Sequence, residues 1–257
     1  MKAVLTVLGS GTSMGVPTIG CQCRVCTSED PHDRRTRPSI MLDYAERCVI
    51  IDTTPDFRQQ AIRERVLRLD AILYTHAHAD HVLGLDDVRP LSFRHADKIP
   101  LYAHPSTAEA LQSIFRYIFD PNYKYGSLAR VQMNHINGSL ELFGASFEPI
   151  KIIHGTAEIH GFRFGSAAYL TDFSEIPAES MQRLRDLDIL FLDALRHRPH
   201  PTHSTVANSV RLVQELKPRR AFFTHISHDL PHDETNNSLP ENIRLAHDGL
   251  KLEFEIA

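Results

Sequence analysis

The sequence lacks the features that would mark a membrane protein, a secreted protein or a nucleic-acid-binding protein. Among its 257 residues, no apolar run approaches the roughly 18 residues of a membrane span. No stretch is rich in lysine and arginine, and the formal net charge of −4 argues against a tRNA nuclease. The apolar run at residues 3–8 is too short for a secretory signal, and no small-residue cleavage site follows it. We therefore expect a cytoplasmic protein without a membrane or nucleic-acid partner.

Cysteine is also scarce, and three of the four cysteines lie between positions 21 and 26. Such a cluster is typical of a metal site in a reducing compartment. Cys21, Cys23 and Cys26 can supply three thiolates to one zinc ion, and a closed structural site needs a fourth ligand. His228 and the nearer His32 are both candidates for that ligand. A redox dithiol or a set of inert buried thiols are the alternative interpretations.

Apolar runs and helical patterns alternate along the chain, which indicates an α/β fold. Strands are predicted at residues 3–8, 39–44, 48–52, 71–74, 100–103, 145–153, 162–164, 167–170, 189–192, 221–223 and 250–256. Helices are predicted from Asp56 to about Arg68, from Ser106 to Phe119, around 177–186, and from Ser204 to Leu216, with the named polar residues as N-caps. No low-complexity linker separates the two halves. We expect one sandwich domain over residues 1–257, with a cysteine-bearing loop at about 20–38.

The densest group of metal-binding side chains is the stretch Thr75-His76-Ala77-His78-Ala79-Asp80-His81. Imidazole and carboxylate groups bind zinc, iron and manganese. The stretch follows the apolar run 71–74, and open α/β sheets bind their ligands at the carboxyl ends of strands. His76 and His78 can point the same way while Asp80 and His81 turn to a second position, which favours two metals. With 16 histidines in the chain, a bare His-x-His would mean little, but the full motif after a strand is far rarer.

Further candidate ligands occupy similar places in the sequence. His154, Asp172 and His225 each follow a β-like run directly. Taken alone, each would more often be a structural polar residue than a metal ligand. Asp52 also ends a predicted strand, where it could either orient a ligand histidine or cap a turn.

The motif His-x-His-x-Asp-His resembles the signature of the metallo-β-lactamase-fold hydrolases, a family with a four-layer αββα sandwich. The resemblance implies one metal held by His76, His78 and His154 and another held by Asp80, His81 and His225, with Asp172 bridging them. It implies two divalent ions, zinc or manganese, that share a hydroxide of lowered pKa. It also implies that Asp52 orients a ligand histidine.

The cysteine cluster, together with Thr224-His225-Ile226-Ser227-His228, narrows the resemblance within that family. The sequence is similar to the phosphoribosyl cyclic phosphodiesterases of the carbon–phosphorus lyase pathway. In those enzymes such cysteines and the later histidine hold a structural zinc. The accessory protein of pyrroloquinoline quinone synthesis shares the cluster, so the cluster alone does not fix the substrate. The resemblance also implies that His203 acts near the leaving group, as a proton donor or as a hydrogen-bond donor to phosphate. A surface histidine at the start of a helix is the alternative interpretation, and His197 and His200 are nearby alternates.

These observations lead to a functional hypothesis with two alternatives. The expected activity is a metal-dependent phosphodiesterase that opens small cyclic phosphodiesters, with Asp80 and His203 as the catalytic candidates. Hydrolysis of a lactone, ester or thioester at the same dinuclear site is the first alternative. A non-enzymatic accessory role is the second, although such a protein would be expected to lack ligands. The expected partner is a small-molecule phosphodiester, and the sequence leaves a homodimer open.

Overall fold

The computed structural model describes residues 1–123 and 125–256, and it contains two seven-stranded sheets. The first sheet has the strand order β14 (Lys251–Glu255), β1 (Lys2–Gly9), β2 (Ser39–Tyr44), β3 (Arg47–Ile51), β4 (Ala71–Leu73), β5 (Ile99–Ala103) and β6 (Val131–His135). The second has the order β13 (Ile243–Leu245), β12 (Arg220–Thr224), β11 (Ile189–Asp193), β10 (Ala167–Leu170), β9 (Ala157–Phe164), β8 (Ala145–His154) and β7 (Leu140–Leu142).

Short helices connect these strands. They are α1 (Phe57–Arg63), α2 (Ala79–Val82), α3 (Arg89–Ser92), α4 (Pro105–Ile114), α5 (Arg116–Phe119), α6 (Ala178–Gln182), α7 (Val206–Leu216) and α8 (His232–Ser238), with 3-10 turns at Pro31–Asp33 and Leu85–Val88. In the described part of the chain, none of the helices has the length and apolar character needed to cross a membrane.

Three apolar clusters define the layers of the fold. The central cluster lies between the sheets, where alternate residues such as Leu5, Phe162 and Phe191 point inward. A second cluster packs α1 and α4 against the outer face of the first sheet. A third packs α7, through residues that include Leu212, against the outer face of the second sheet. This arrangement confirms the predicted α/β sandwich with four layers.

Each sheet contains a block of four parallel strands. In the first sheet β3, β4, β5 and β6 are parallel to one another, and in the second sheet β10, β11, β12 and β13 are parallel. Parallel strands end at the same edge of a sheet, which is where such folds bind ligands. The candidate residues that follow β3, β4, β10 and β12 are therefore brought toward one edge of the sandwich.

Two predicted helices end early, although Asp56 is confirmed as the residue that precedes the first of them. The first helix ends at Arg63 rather than near Arg68, and Asp56 makes no capping hydrogen bond because its carboxylate binds Arg37 instead. The helix predicted over residues 106–119 breaks at Phe115, where ψ is 40°.

The N-caps of two other helices differ from prediction by one or two residues. The side chain of His104, not of Ser106, accepts the backbone N–H at the start of α4. Thr205, not Ser204, accepts the N–H of Asn208 at the start of α7. Ser204 instead shares a hydrogen bond with the buried hydroxyl of Ser209. The helix predicted around 177–186 covers only Ala178–Gln182.

Several elements were missed because their patterns are short or polar. β6, β7 and β13 have three to five residues each, and α8 begins with the polar run His-Asp-Glu-Thr. Strands this short carry too little alternation for a periodicity argument. They complete the edges of both sheets.

Candidate active site

The His-rich motif is held between β4 and the short helix α2. His76 and His78 lie in the loop after β4, and α2 carries Asp80 and His81. Behind the motif, the N–H of Thr53 donates to the carbonyl of His81 at 2.8 Å. A Cβ atom at Gly84 would lie 2.0 Å from the Thr54 carbonyl oxygen, so only glycine permits this close approach.

The candidate ligands form two adjacent groups. His76, His78, His154 and Asp172 compose the first, and Asp80, His81, Asp172 and His225 compose the second. Within each group one ligand atom per residue lies within 4.8 Å of all the others. Asp172 belongs to both groups, with one carboxylate oxygen 3.4 Å from His81 Nε2 and the other 3.1 Å from His225 Nε2. The structure thus brings together all seven residues in the pairing that the family resemblance implies.

Several polar atoms of these groups have no hydrogen-bond partner among the described residues. His76 Nε2, Asp80 Oδ2, His81 Nε2 and both ring nitrogens of His225 are buried without a hydrogen bond in the described structure. A buried polar atom left unpaired costs free energy, so such atoms normally have partners. Nitrogen and carboxylate donors converging in this way fit divalent metal ions such as zinc or manganese. His78 is the exposed member of the set and marks the open side of the site.

The charges of the site also favour cations. Burial lowers the pKa of His76 well below its usual value, reinforced by His81, so its imidazole is neutral and able to donate a lone pair. Burial alone would lower the pKa of His225, but Asp172 and Asp80 raise it to about 10. The buried carboxylates therefore attract positive charge, which protons or divalent metals can supply.

Groups outside the two clusters fix the orientation of the ligand rings. Asp52 accepts a hydrogen bond from His81 Nδ1 at 2.7 Å, and it also accepts from the N–H and hydroxyl of Thr75 at 2.9 and 2.8 Å. His154 Nδ1 donates to the Thr202 carbonyl at 2.8 Å. In both histidines the other ring nitrogen, Nε2, remains available to bind a metal ion. Metal-binding imidazoles are usually oriented in this way, by a hydrogen bond from the first nitrogen.

Backbone conformations at the site are unusual. Asp52, Asp172 and His225 have φ angles of 66°, 59° and 57°, in the left-handed region that non-glycine residues seldom adopt. Each follows the end of a strand, and the change of direction turns its side chain toward the site. Such strained positions concentrate at functional sites because the surrounding structure holds them there.

A second histidine–aspartate pair adjoins the ligands. His203 Nδ1 lies 2.7 Å from Asp193 Oδ2, and the His203 ring stacks on His225 with a centroid distance of 4.6 Å. Asp193 is fully buried at the end of β11. Asp193 was not among the predicted site residues, although it directly follows the predicted strand 189–192, as Asp52 ends another. Its position at the end of a buried strand is the feature of the sequence that could have identified Asp193.

The two alternates to His203 are placed differently. The ring of His200 lies 5.0 Å from that of His203, and its Nδ1 is near the hydroxyl of Thr202. His197 is exposed. Of the three, His203 is the one held by a buried carboxylate beside the ligand groups.

The cysteine loop closes on the C-terminal half of the chain. His228 Nδ1 lies 3.3 Å from the Sγ atoms of Cys21 and Cys26 and 3.5 Å from that of Cys23. Three sulfurs and one imidazole nitrogen compose the donor set of a structural zinc site. His32 is not part of this group. The geometry therefore favours His228 over His32 as the fourth ligand.

Hydrogen bonds from a buried arginine connect the cysteine loop to the segment around His228. Arg35 donates to the carbonyls of Ser227 and Leu230 at 2.9 and 2.7 Å, and to Asp33 at 3.0 Å. These bonds fix the chain on both sides of His228. The glycine-rich turn after β1 also reaches this region, since Ile226 N donates to the Ser10 carbonyl at 3.0 Å.

Comparison with known proteins identifies the family. A family model described as the beta-lactamase superfamily domain matches residues 47–226, which include the His-rich motif and the residues from His154 to His225. The chain belongs to the beta-lactamase superfamily. This confirms the family resemblance drawn from the sequence motif.

Two solved structures are similar to this chain to different degrees. A structure described as a new diphosphatase from the PhnP family is 62% identical, with a TM-score of 0.95, and the match covers 100% of this chain and 98% of that one. The Zn²⁺-bound PqqB from Methylobacterium extorquens is 22% identical with a TM-score of 0.81, covering 97% and 99% of the two chains. At that identity, the second comparison shows a shared fold only.

Curated relatives are longer than this chain. An octanoyltransferase from Porphyromonas gingivalis is 37% identical over 98% of this chain, but the match covers 51% of the relative. The coenzyme PQQ synthesis protein B of Methylorubrum extorquens is 30% identical over 39% of this chain and 37% of its own length. The chain thus spans about half the length of the first relative.

Proposed function

We propose that the protein is a dinuclear metal-dependent hydrolase that cleaves a phosphorus–oxygen bond in a small phosphate compound. The two ligand groups that share Asp172, with His203 beside them, carry this proposal. His76, His78 and His154 would hold one ion, Asp80, His81 and His225 the other, and Asp172 would bridge them. When bound, the ions would lower the pKa of a water molecule and stabilise negative charge on phosphoryl oxygens.

The chain's own residues supply the remaining chemistry. Asp193 accepts a hydrogen bond from His203 Nδ1, which fixes the orientation of the ring. His203 Nε2 can then donate a proton to the leaving oxygen. Asp52 and the Thr202 carbonyl orient His81 and His154, so the ligand set is preorganised.

Two phosphate linkages are candidates for the substrate. The sequence resemblance favours a small cyclic phosphodiester, whose alkoxide leaving group needs a proton. The PhnP-family relative, at 62% identity, is described as a diphosphatase, which suggests a diphosphate linkage. A phosphate leaving group is a weaker base than an alkoxide, so its departure depends less on His203.

Phosphorus NMR tests the proposal. Protein loaded with Zn²⁺ or Mn²⁺ is incubated with cyclic phosphodiesters, including a ribose 1,2-cyclic phosphate and 2′,3′-cyclic nucleotides, and with nucleoside diphosphates and dinucleoside diphosphates. We expect turnover of at least one class, lost in His76→Ala and retained in the surface control His95→Gln. If no phosphate compound reacts while both ligand groups hold metal, the proposal is wrong.

A second candidate function has one observation in its favour. The curated relative that matches 98% of this chain is named an octanoyltransferase, which suggests acyl ester or thioester chemistry. A metal site that hydrolyses phosphate esters can also hydrolyse carbonyl esters. Because the match covers 51% of that relative, the acyl chemistry could belong to its other half. An octanoyl thioester in the same substrate panel distinguishes the two candidates.

A further inference from the structure

A third cluster of histidines lies outside the two candidate metal sites already described. The His32 ring packs against His232 and His247 with centroid distances of 4.6 and 4.2 Å. These residues come from three distant parts of the chain: the 3-10 turn Pro31–Asp33 within the cysteine loop, the start of α8, and the segment between β13 and β14. One ligand atom each from His32, His232 and Asp233 lie within 4.8 Å of one another.

His232 has a buried ring nitrogen without a partner. The residue is 6% exposed, and its Nδ1 has no hydrogen bond in the described structure. Its backbone N–H donates to Asp33 at 2.9 Å, so the residue is fixed in place independently of its ring. Burial lowers the pKa of His232 to about 4, with help from His32, Arg35 and His247. The ring is therefore neutral at neutral pH, which is the form that binds a metal ion.

The neighbouring charges are compatible with a bound cation. The nearby cation Arg35 is neutralised by Asp33 at 3.0 Å, and its other N–H groups donate to backbone carbonyls. Asp30 lies 3.6 Å from His32 Nδ1, and Asp233 is exposed at the edge of the cluster. Two carboxylates, those of Asp30 and Asp233, therefore lie near the cluster, whereas the nearby guanidinium of Arg35 is already paired with Asp33.

We propose that His32, His232 and Asp233 form a further site for a divalent ion such as Zn²⁺. Two imidazoles and a carboxylate are suitable ligands for a borderline metal, and a three-residue set leaves a position for water. Because His32 is half-buried and Asp233 is exposed, the ion can exchange with solvent. Its binding joins the turn Pro31–Asp33 of the cysteine loop to the start of α8, which follows the segment that carries His228.

Metal counting tests this proposal. Wild-type protein and the variant His32→Asn/Asp233→Asn are dialysed to equilibrium at several fixed concentrations of free Zn²⁺, and bound zinc is measured by mass spectrometry. We expect the double variant to bind one equivalent less than the wild type. The matched control Glu234→Gln, at the neighbouring exposed carboxylate, should bind the same amount as the wild type.

Two further measurements separate loss of the site from misfolding. In cobalt-loaded protein, the thiolate-to-cobalt absorption of the cysteine site should be unchanged in the double variant. The single variant Asp233→Asn should raise the free Zn²⁺ needed to fill the weakest site by tenfold or more. Equal zinc binding curves for the wild type and both variants would overturn the proposal. The test does not use catalytic activity, so it is independent of the proposed function.

Discussion

At the scale of single residues, aspartates that follow buried strands organise the site. Asp52 holds His81, Asp172 lies between the two ligand groups, and Asp193 holds His203. All three are almost fully buried, where an unpaired carboxylate would be costly. Neighbouring imidazoles compensate for the burial of each carboxylate. The positions of the histidines and the aspartates therefore depend on one another.

Substitution of the Asp193–His203 pair should reduce catalysis without removing the metals. We expect His203→Gln to lower kcat by roughly 100-fold or more, because a general acid is lost. Asp193→Asn should lower kcat by about 10- to 100-fold, because the ring loses its orientation. Steady-state kinetics with a series of leaving groups measures this, and the defect should shrink as the leaving group becomes less basic. A uniform defect across the series would show that the pair is merely structural.

Substitution of Asp52 should instead weaken metal binding. Asp52→Asn removes a charged acceptor from His81 Nδ1, and we expect the affinity for zinc to fall by about 10- to 100-fold. Competition with a chromogenic chelator measures the change, with Asp97→Asn, at an exposed carboxylate, as the control. Unchanged zinc affinity would mean that Asp52 does not act through His81.

At the scale of secondary-structure elements, the site depends on the alignment of neighbouring strands. Asp70 fixes the start of β4 beside β3: its N–H donates to the Cys48 carbonyl, and its carboxylate accepts from the Cys48 N–H at 2.9 Å. The carboxylate also accepts from Arg47 and Arg68 at distances of 3.0 and 2.6 Å. Because β3 and β4 lead to Asp52 and His76, this alignment positions both residues.

Asp70 should stabilise the fold in a pH-dependent way. Burial alone would raise the pKa of Asp70, but hydrogen bonds from Arg68, Cys48 and Arg47 lower it below its usual value. A lowered pKa in the folded state stabilises the protein above the unfolded pKa of about 4, and this contribution is lost as pH falls through the folded pKa. We expect Asp70→Asn to cost about 1–2 kcal/mol at pH 7, since the arginines are partly exposed. Urea unfolding at pH 7 and pH 3 measures this, and an equal cost at both values would contradict it.

The cysteine loop should behave as a metal-dependent element. Cys26→Ser removes one of the three sulfurs around His228, so we expect loss of one zinc equivalent and lower stability of the loop at about 20–38. Limited proteolysis and metal analysis check this, with the buried Cys48→Ala as a control for the loss of a thiol outside the cluster. A full zinc content in Cys26→Ser would contradict the assignment.

Much of this element-level arrangement could be predicted from the sequence. Strands with long apolar runs, such as β8 and β11, could be predicted from the pattern alone. The assignment of His154, Asp172 and His225 as ligands also needed the family resemblance, because each residue taken alone is more often structural. The break at Phe115 and the cap at Thr205 could not be predicted, because helix ends depend on local contacts that tertiary packing decides. Asp193 was missed because its partner His203 lies ten residues away and only the fold brings the two together.

At the scale of the whole molecule, the site is assembled from both sheets. The first half of the chain contributes His76, His78, Asp80 and His81, and the second contributes His154, Asp172 and His225. Each half supplies the carboxyl ends of one block of parallel strands. Neither half holds a complete ligand group, so the proposed chemistry depends on the packing between the sheets.

The most direct test of the account is hydrolysis in ¹⁸O-labelled water. Metal-loaded protein reacts with the best phosphate substrate of the panel, and the position of the label is read from the isotope shift of the phosphorus signal. For a cyclic phosphodiester we predict one ¹⁸O atom on phosphorus and none in the hydroxyl group that ring opening frees. For a diphosphate we predict one ¹⁸O atom in one of the two phosphate products. Label found only in octanoate from the octanoyl thioester, with no phosphate compound turned over, would contradict it.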